Sequence, residues 1–335
     1  MKTPICRTLS LAVMGLSIIA CSPTASTDVT PKQESAPVMK TAAELGAPPL
    51  TSHEDLRQAY RRHAVLAQYR RWYQLYENPA VSLDNQLDIL AEDIALSSGL
   101  GEANGHAEYR ARVATIPAEW KNAHFVNDAD VTLLADGRAE LVADITYLNQ
   151  GALPDGAVRS ADLTYTGTLD TPDGALLPVF ETLVIEGESE GTAEAFRDAY
   201  AENRMRSLAH YWLALIEDPS RDPEPVREIL ADDFTLNFSS GAITDFDGFK
   251  AWLAGPGSAV QASTHRIGDF TVTESGGNAY RVQMTLDWQG LSPDGADLVA
   301  RTRHDWQVVD DPAERFARIK AVDVEVLLPF QPVSG

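Results

Sequence analysis

Cysteine is nearly missing from this chain: Cys6 and Cys21 are the only two in 335 residues. That excludes a disulfide framework and a cysteine-ligated zinc site. Positive charge is scarce as well, with 27 Lys and Arg against 49 Asp and Glu and a net charge of −22. Phosphate backbones are held by concentrated cationic side chains, so no nucleic-acid partner is expected. There is no His-Glu-x-x-His, no phosphate-binding glycine loop and no Gly-x-Ser-x-Gly elbow, so neither a metal nor a cofactor is expected. The one long apolar run, Leu9 to Ala20, has about twelve residues. It is too short for a permanent membrane span and the right length for a signal-peptide core. What remains is an ordinary globular balance, 44% apolar and 23% charged, over a length that suggests about two domains.

Lys2 and Arg7 precede the apolar run, which closes on Ile18-Ile19-Ala20-Cys21. That ending resembles the lipobox of bacterial lipoproteins. The resemblance implies cleavage before Cys21, diacylglycerol on its thiol and an acylated amine, a multiply acylated anchor that holds stably to a bilayer. Ser22 follows rather than Asp, which in that family implies the outer membrane, so the expected location is the cell envelope, facing the periplasm. Loss of residues 1–20 removes Lys2 and Arg7 but no acid, taking the net charge from −22 to −24. Residues 21–49 are rich in Ser, Thr, Pro and Ala and read as a flexible tether.

The rest repeats. Shifting the chain by 140 positions aligns 51–96 with 191–236 without a gap, and 13 of the 46 positions are identical. The matches include Tyr60/Tyr200, Trp72/Trp212, Glu77/Glu217 and Pro79/Pro219, and with small slips His124/His265 and Gln150-Gly151/Gln289-Gly290. A period this long is a whole domain rather than a solenoid unit, giving domains at 50–190 and 191–330. Ser52 followed by Asp55 resembles a capping box, with Thr192 in the matching place, and each first helix is expected to run to its proline. A second short helix is expected over Val226 to Ala231 and a third over Asp247 to Leu253, its counterpart in the first copy being Gly105–Ile116. Strands follow at about 263–273, 279–291, 297–309 and 315–327, the middle pair joined at Pro293-Asp294-Gly295.

The segment Leu230-Ala231-Asp232-Asp233-Phe234, taken as a helix end, and the closing strand through Val322–Val326 resemble the nuclear transport factor 2-like superfamily, which includes the SnoaL-like proteins. The resemblance implies an α+β fold of two tandem cone-shaped domains. Each would pack three N-terminal helices on a curved, mainly antiparallel sheet whose open end holds a ligand. It also implies pairing through the outer sheet faces, hence a monomer with an intramolecular pseudo-dimer. The same cone hosts enzymes, carriers and adaptors, so fold alone does not select a reaction.

Strand alternation places Met284, Leu286 and Trp288 on one face, and His304 and Trp306 on the matching face of the next strand. In the first copy Tyr165 takes the place of His304, and Asn149 that of Trp288. Large rings with a few polar groups are what small-molecule pockets use. The expected ligand site is therefore the second cone, lined by Trp288, His304, Trp306, Trp212 and Met284, for an apolar, uncharged or cationic molecule. His304 is the candidate general base, weighed against a hydrogen-bonded core histidine; Trp72 and Trp212 also read as helix core. Asp233 and Asp93, and His124 and His265, recur in both copies, which favours structural jobs. The functional expectation is a membrane-anchored lipoprotein with a small-molecule-binding or accessory role. The alternatives are a SnoaL-like isomerase, hydrolase or cyclase, and a protein-interaction scaffold.

Overall fold

The computed structural model describes residues 50–333, so Cys21 and the tether lie outside the described residues. Ser52 opens the first copy by accepting from the Asp55 amide at 3.1 Å while its hydroxyl donates to the Asp55 carboxylate at 2.7 Å. Four helical segments follow: α1 (His53–Arg57), α2 (Ala59–Trp72), α3 (Gln74–Glu77) and α4 (Leu83–Leu87). Next come β1 (Leu90–Ser98), β2 (Gly101–Asn104), α5 (Gly105–Val113), β3 (Lys121–Leu133), β4 (Ala139–Gln150), β5 (Val158–Asp170) and β6 (Val179–Ala193). The second copy has α6 (Tyr200–Glu217), a 3-10 turn (Glu224–Glu228), β7 (Leu230–Phe238) and β8 (Gly241–Ile243). It continues with α7 (Phe246–Ala254), β9 (Ala262–Gly276), β10 (Ala279–Leu291), β11 (Asp297–Val309) and β12 (Arg318–Pro332).

Both copies form one six-stranded mixed sheet of the same topology, β2-β1-β6-β5-β4-β3 and β8-β7-β12-β11-β10-β9. Only β1 with β6 and β7 with β12 run parallel; the other pairs are antiparallel. The chain is therefore two tandem α+β domains. Alternation buries Leu141, Ala143 and Ile145 against α2 in the first copy, and Val282, Met284 and Leu286 against α6 in the second. Each copy has an apolar core, and that of the second takes in Ala64, Ala67 and Leu177 of the first.

Three local expectations are corrected. The segment over Val226 to Ala231 is a 3-10 turn that gives way at Leu230 to a strand, not a helix. Leu230, Phe234 and Leu236 face inward there, leaving Asp232 and Asp233 exposed. Thr192 caps nothing, because β6 stays paired with β5 through Ala193 and the helix starts only at Tyr200. The released segment instead packs Phe196 and Ala199 on Ala123, Leu148 and Val158 of the first sheet. The first copy reciprocates, seating Leu56 of α1 on Ala262 and Leu291 of the second sheet.

The third correction concerns how the copies meet. The expected sheet-to-sheet pairing is absent among the described residues, and α2 packs on α6 instead. Small residues sit at the crossing, where Ser207 Oγ donates to the Ala67 carbonyl at 2.8 Å. On one side His63 Nδ1 lies 3.0 Å from His210 Nδ1; on the other, Arg70 donates to Asn203 Oδ1 at 2.8 Å. The outer sheet face stays polar and carries the ion pairs Arg301–Asp287, Arg281–Asp305 and Arg303–Glu325.

Candidate functional site

The copies differ most in how their cones are filled. In the second, α7 delivers Phe249 and Leu253 into the interior, and Trp252 packs on Phe249 at 5.8 Å. Trp212 from α6 meets Trp306 edge-on at 6.0 Å and Phe249 at 5.9 Å. Met284 is 2% exposed in the same cluster. Trp212, Met284 and Trp306 therefore fill the interior of the second cone.

His304 is a satisfied core histidine. The Trp306 indole donates to Nδ1 at 3.3 Å, so the ring proton sits on Nε2, which donates to Thr302 Oγ1 at 3.0 Å. Burial pushes its pKa down to about 3. With both nitrogens occupied it has no lone pair to offer a substrate. Trp288 lies elsewhere, half-buried and edge-on to Phe330 at 4.9 Å. Asp233 is exposed on β7 and pairs with Lys320.

The first cone has the opening. Its α5 places only Tyr109 in the core, where the Tyr109 hydroxyl meets that of Tyr76 at 2.7 Å. A cavity of about 240 Å³ remains, walled by Trp72, Trp120, Tyr147, Leu163, Tyr165 and Ile185. Register confirms that Tyr165, opposite Ala143, stands where His304 stands opposite Met284. The residue opposite His124 is Tyr147, as Trp288 is opposite His265, so Tyr147 rather than Asn149 is the counterpart of Trp288.

His124 is the imidazole in this wall, which Arg112, Arg159 and Glu190 also line. Glu77, the last residue of α3, accepts from the His124 amide at 2.8 Å and from its Nδ1 at 3.1 Å. Asn203 of the other copy donates to both Glu77 oxygens, at 3.0 and 3.2 Å, and to the His124 carbonyl at 2.9 Å. Burial raises the Glu77 pKa, opposed by the hydrogen bond and charge of His124 and by Asn203. A carboxylate on Nδ1 fixes that proton and leaves Nε2 as an acceptor. The imidazole is stacked on Tyr73 at 4.6 Å, which fixes its plane. Asn122 ties the neighbouring wall, accepting from Tyr147 at 2.7 Å and Asn149 at 2.8 Å.

The second copy repeats the clamp with a different third member. Glu217 accepts from the His265 amide and Nδ1, each at 2.8 Å, while His63 of the first copy stands 3.6 Å away. Among the described residues Glu217 Oε2 has no hydrogen-bond partner, and burial pushes that carboxyl up to about 8. Both glutamates and both histidines appear in the sequence as repeat matches. Sequence reasoning did not join them, because some 47 residues separate each pair.

No protein-family model and no curated protein matches the chain. Solved structures match one copy at a time. A LinA-type3 hexachlorocyclohexane dehydrochlorinase from Novosphingobium barchaimii is 14% identical over 43% of this chain and 97% of its own, with a TM-score of 0.38. A nuclear transport factor 2-like superfamily protein from Salmonella enterica is 14% identical over 38% and 90%, with a TM-score of 0.34. Each match has about the length of one six-stranded copy. A protein of cystatin-like fold from Caulobacter vibrioides covers a similar share, 38% of this chain and 91% of its own, at 14% identity and a TM-score of 0.32. All three span about one of the two copies.

Proposed function

We propose that the first cone binds a small, largely apolar molecule and that His124, oriented by Glu77, takes a proton from it. The observation that carries this reading is the contrast between cones: one is packed shut, and the other keeps a cavity with an acceptor nitrogen on its wall. Aromatic walls supply contact area, and a single oriented imidazole supplies the chemistry. Removal of a proton beside a carbonyl, as in an isomerase, is the reaction class this site suits. The test uses α-tetralone, an apolar ketone with exchangeable α-protons, in D₂O with the exchange followed by NMR. Wild type should exceed the buffer rate, and His124→Gln should lower that excess by about 10²-fold or more. Glu77→Gln should lower it too, by misplacing the Nδ1 proton. No excess in wild type, or equal excess in all three proteins, would overturn the reading.

The lipobox motif supports a second element, an anchor at Cys21 that holds the protein at the cell envelope. Among the described residues no helix is long and apolar enough to cross a membrane. Cys21→Ala should shift the protein from the membrane to the soluble fraction and abolish labelling by a fatty acid. A wild-type protein that takes up no label and fractionates as soluble would remove the anchor.

A further inference from the structure

A second cavity, of about 410 Å³, lies where helices of the first copy meet the sheet of the second. Its charge is inverted relative to the chain. Arg62, Arg206, Arg266 and Arg301 border it, against one acid, Asp287, which is bonded to Arg301. Arg62 and Arg206 each direct one N–H to an exposed carboxylate, Asp55 and Glu202. Such exposed pairs are weak, and a guanidinium has five N–H groups. Arg266 has no carboxylate within ion-pair distance among the described residues.

The hydrogen-bond chain beneath the groove fixes an acceptor in it. A carbonyl only accepts, so the 3.1 Å contact between His63 Nε2 and the His265 carbonyl puts the proton on Nε2. His63 Nδ1 is then the acceptor in its 3.0 Å contact, and His210 Nδ1 the donor. Burial holds both rings neutral, lowering both pKa values. His210 Nε2 is thereby left as a lone pair in a groove otherwise rich in donors. The apolar part of the wall includes Leu66, Ile267, Leu328 and Trp288. The Trp288 ring lies over Gly290, where a Cβ would come within 2.3 Å of it.

We propose that this groove binds a small hydroxylated carboxylate with an apolar chain. The carboxylate lies on Arg206 and Arg266, the hydroxyl donates to His210 Nε2, and the chain packs on Trp288 and Leu66. This site is separate from the first cone and does not depend on the chemistry assigned there. The probes are 3-hydroxyoctanoate, octanoate and the neutral 1,3-octanediol, titrated calorimetrically against the whole chain. The hydroxy acid should bind one to one, several-fold more tightly than octanoate, and the diol at least 10-fold more weakly. Arg206→Gln and Arg266→Gln should each weaken the hydroxy acid about 10-fold. Arg266 is exposed, so its variant tests the site without risk to the core. His124→Gln should leave binding unchanged. No binding, equal binding of acid and diol, indifference to both arginine substitutions, or loss on His124→Gln would each overturn the proposal.

Discussion

Glu77 and Glu217 occupy equivalent positions, yet their surroundings set them apart. Asn203 gives Glu77 a donor for each oxygen, whereas one oxygen of Glu217 has none among the described residues. A buried carboxylate short of a donor holds its proton, and the Glu217 pKa rises from 4.5 to about 8. The folded state then binds that proton more tightly than the unfolded chain does. Its contribution to stability is present below about pH 4.5 and is lost as pH rises toward 8. Glu217→Gln removes this loss. We expect its melting temperature, relative to wild type, to be higher at pH 9 than at pH 5, and a pH-independent difference would contradict the assignment. His304 shows how much of a residue's role a sequence holds. Alternation placed it inward, but whether its nitrogens were open depended on Thr302 and Trp306, both two positions away on the same strand. That spacing was readable; the side-chain rotations that close the contacts were not.

Among elements, α5 and α7 decide which cone is open. Phe246, Phe249, Trp252 and Leu253 make α7 a greasy lid, while α5 carries His106, Glu108, Arg110 and Arg112 around one buried tyrosine. The rings that read as a pocket are the filling, because sequence gives the face of a ring but not the volume left over. The strands were more legible, since alternation and turn residues fix them locally: β10 and β11 fall at 279–291 and 297–309 as expected. The helix α2 was harder to read. It is buried on two sides, against its own sheet and against α6, so His63, Gln68 and Arg71 lie inside and blur its apolar stripe. Arg204 is likewise buried on α6. It is 1% exposed and bonds Asp310, Gln74 and the carbonyls of Asp311, Glu314 and Arg315, pinning the β11–β12 connection to α6. Arg204→Met leaves the buried Asp310 carboxylate with Tyr200 as its one side-chain partner among the described residues. Chemical denaturation should show a loss of about 3–5 kcal/mol, and a loss below about 1 kcal/mol would mean that the pair does not hold the connection.

At the scale of the whole molecule, the 140-residue period was legible because it rests on identities rather than on packing. The mode of pairing was not, since interface residues are the ones in which the copies differ. The buried face of α6 depends on α2, so residues 191–335 expressed alone should not be a folded monomer. Light scattering should show self-association or aggregation, and a monodisperse, cooperatively melting monomer would contradict the interface described here. The two helix contacts flanking the crossing, His63 with His210 and Arg70 with Asn203, carry a consequence for inheritance. Two identical chains around a twofold axis must write every such contact twice with the same letters. Any mutation then strikes both sites at once, and a change that suits one cone is forced on the other. Here His63 aligns with Asn203 and Arg70 with His210 across the 140-residue shift, so one flank can become a pair of imidazoles while the other becomes an amide and a guanidinium. A single gene holding both halves lets one bowl be packed solid as ballast while the other stays hollow, with no need for either to be good at both.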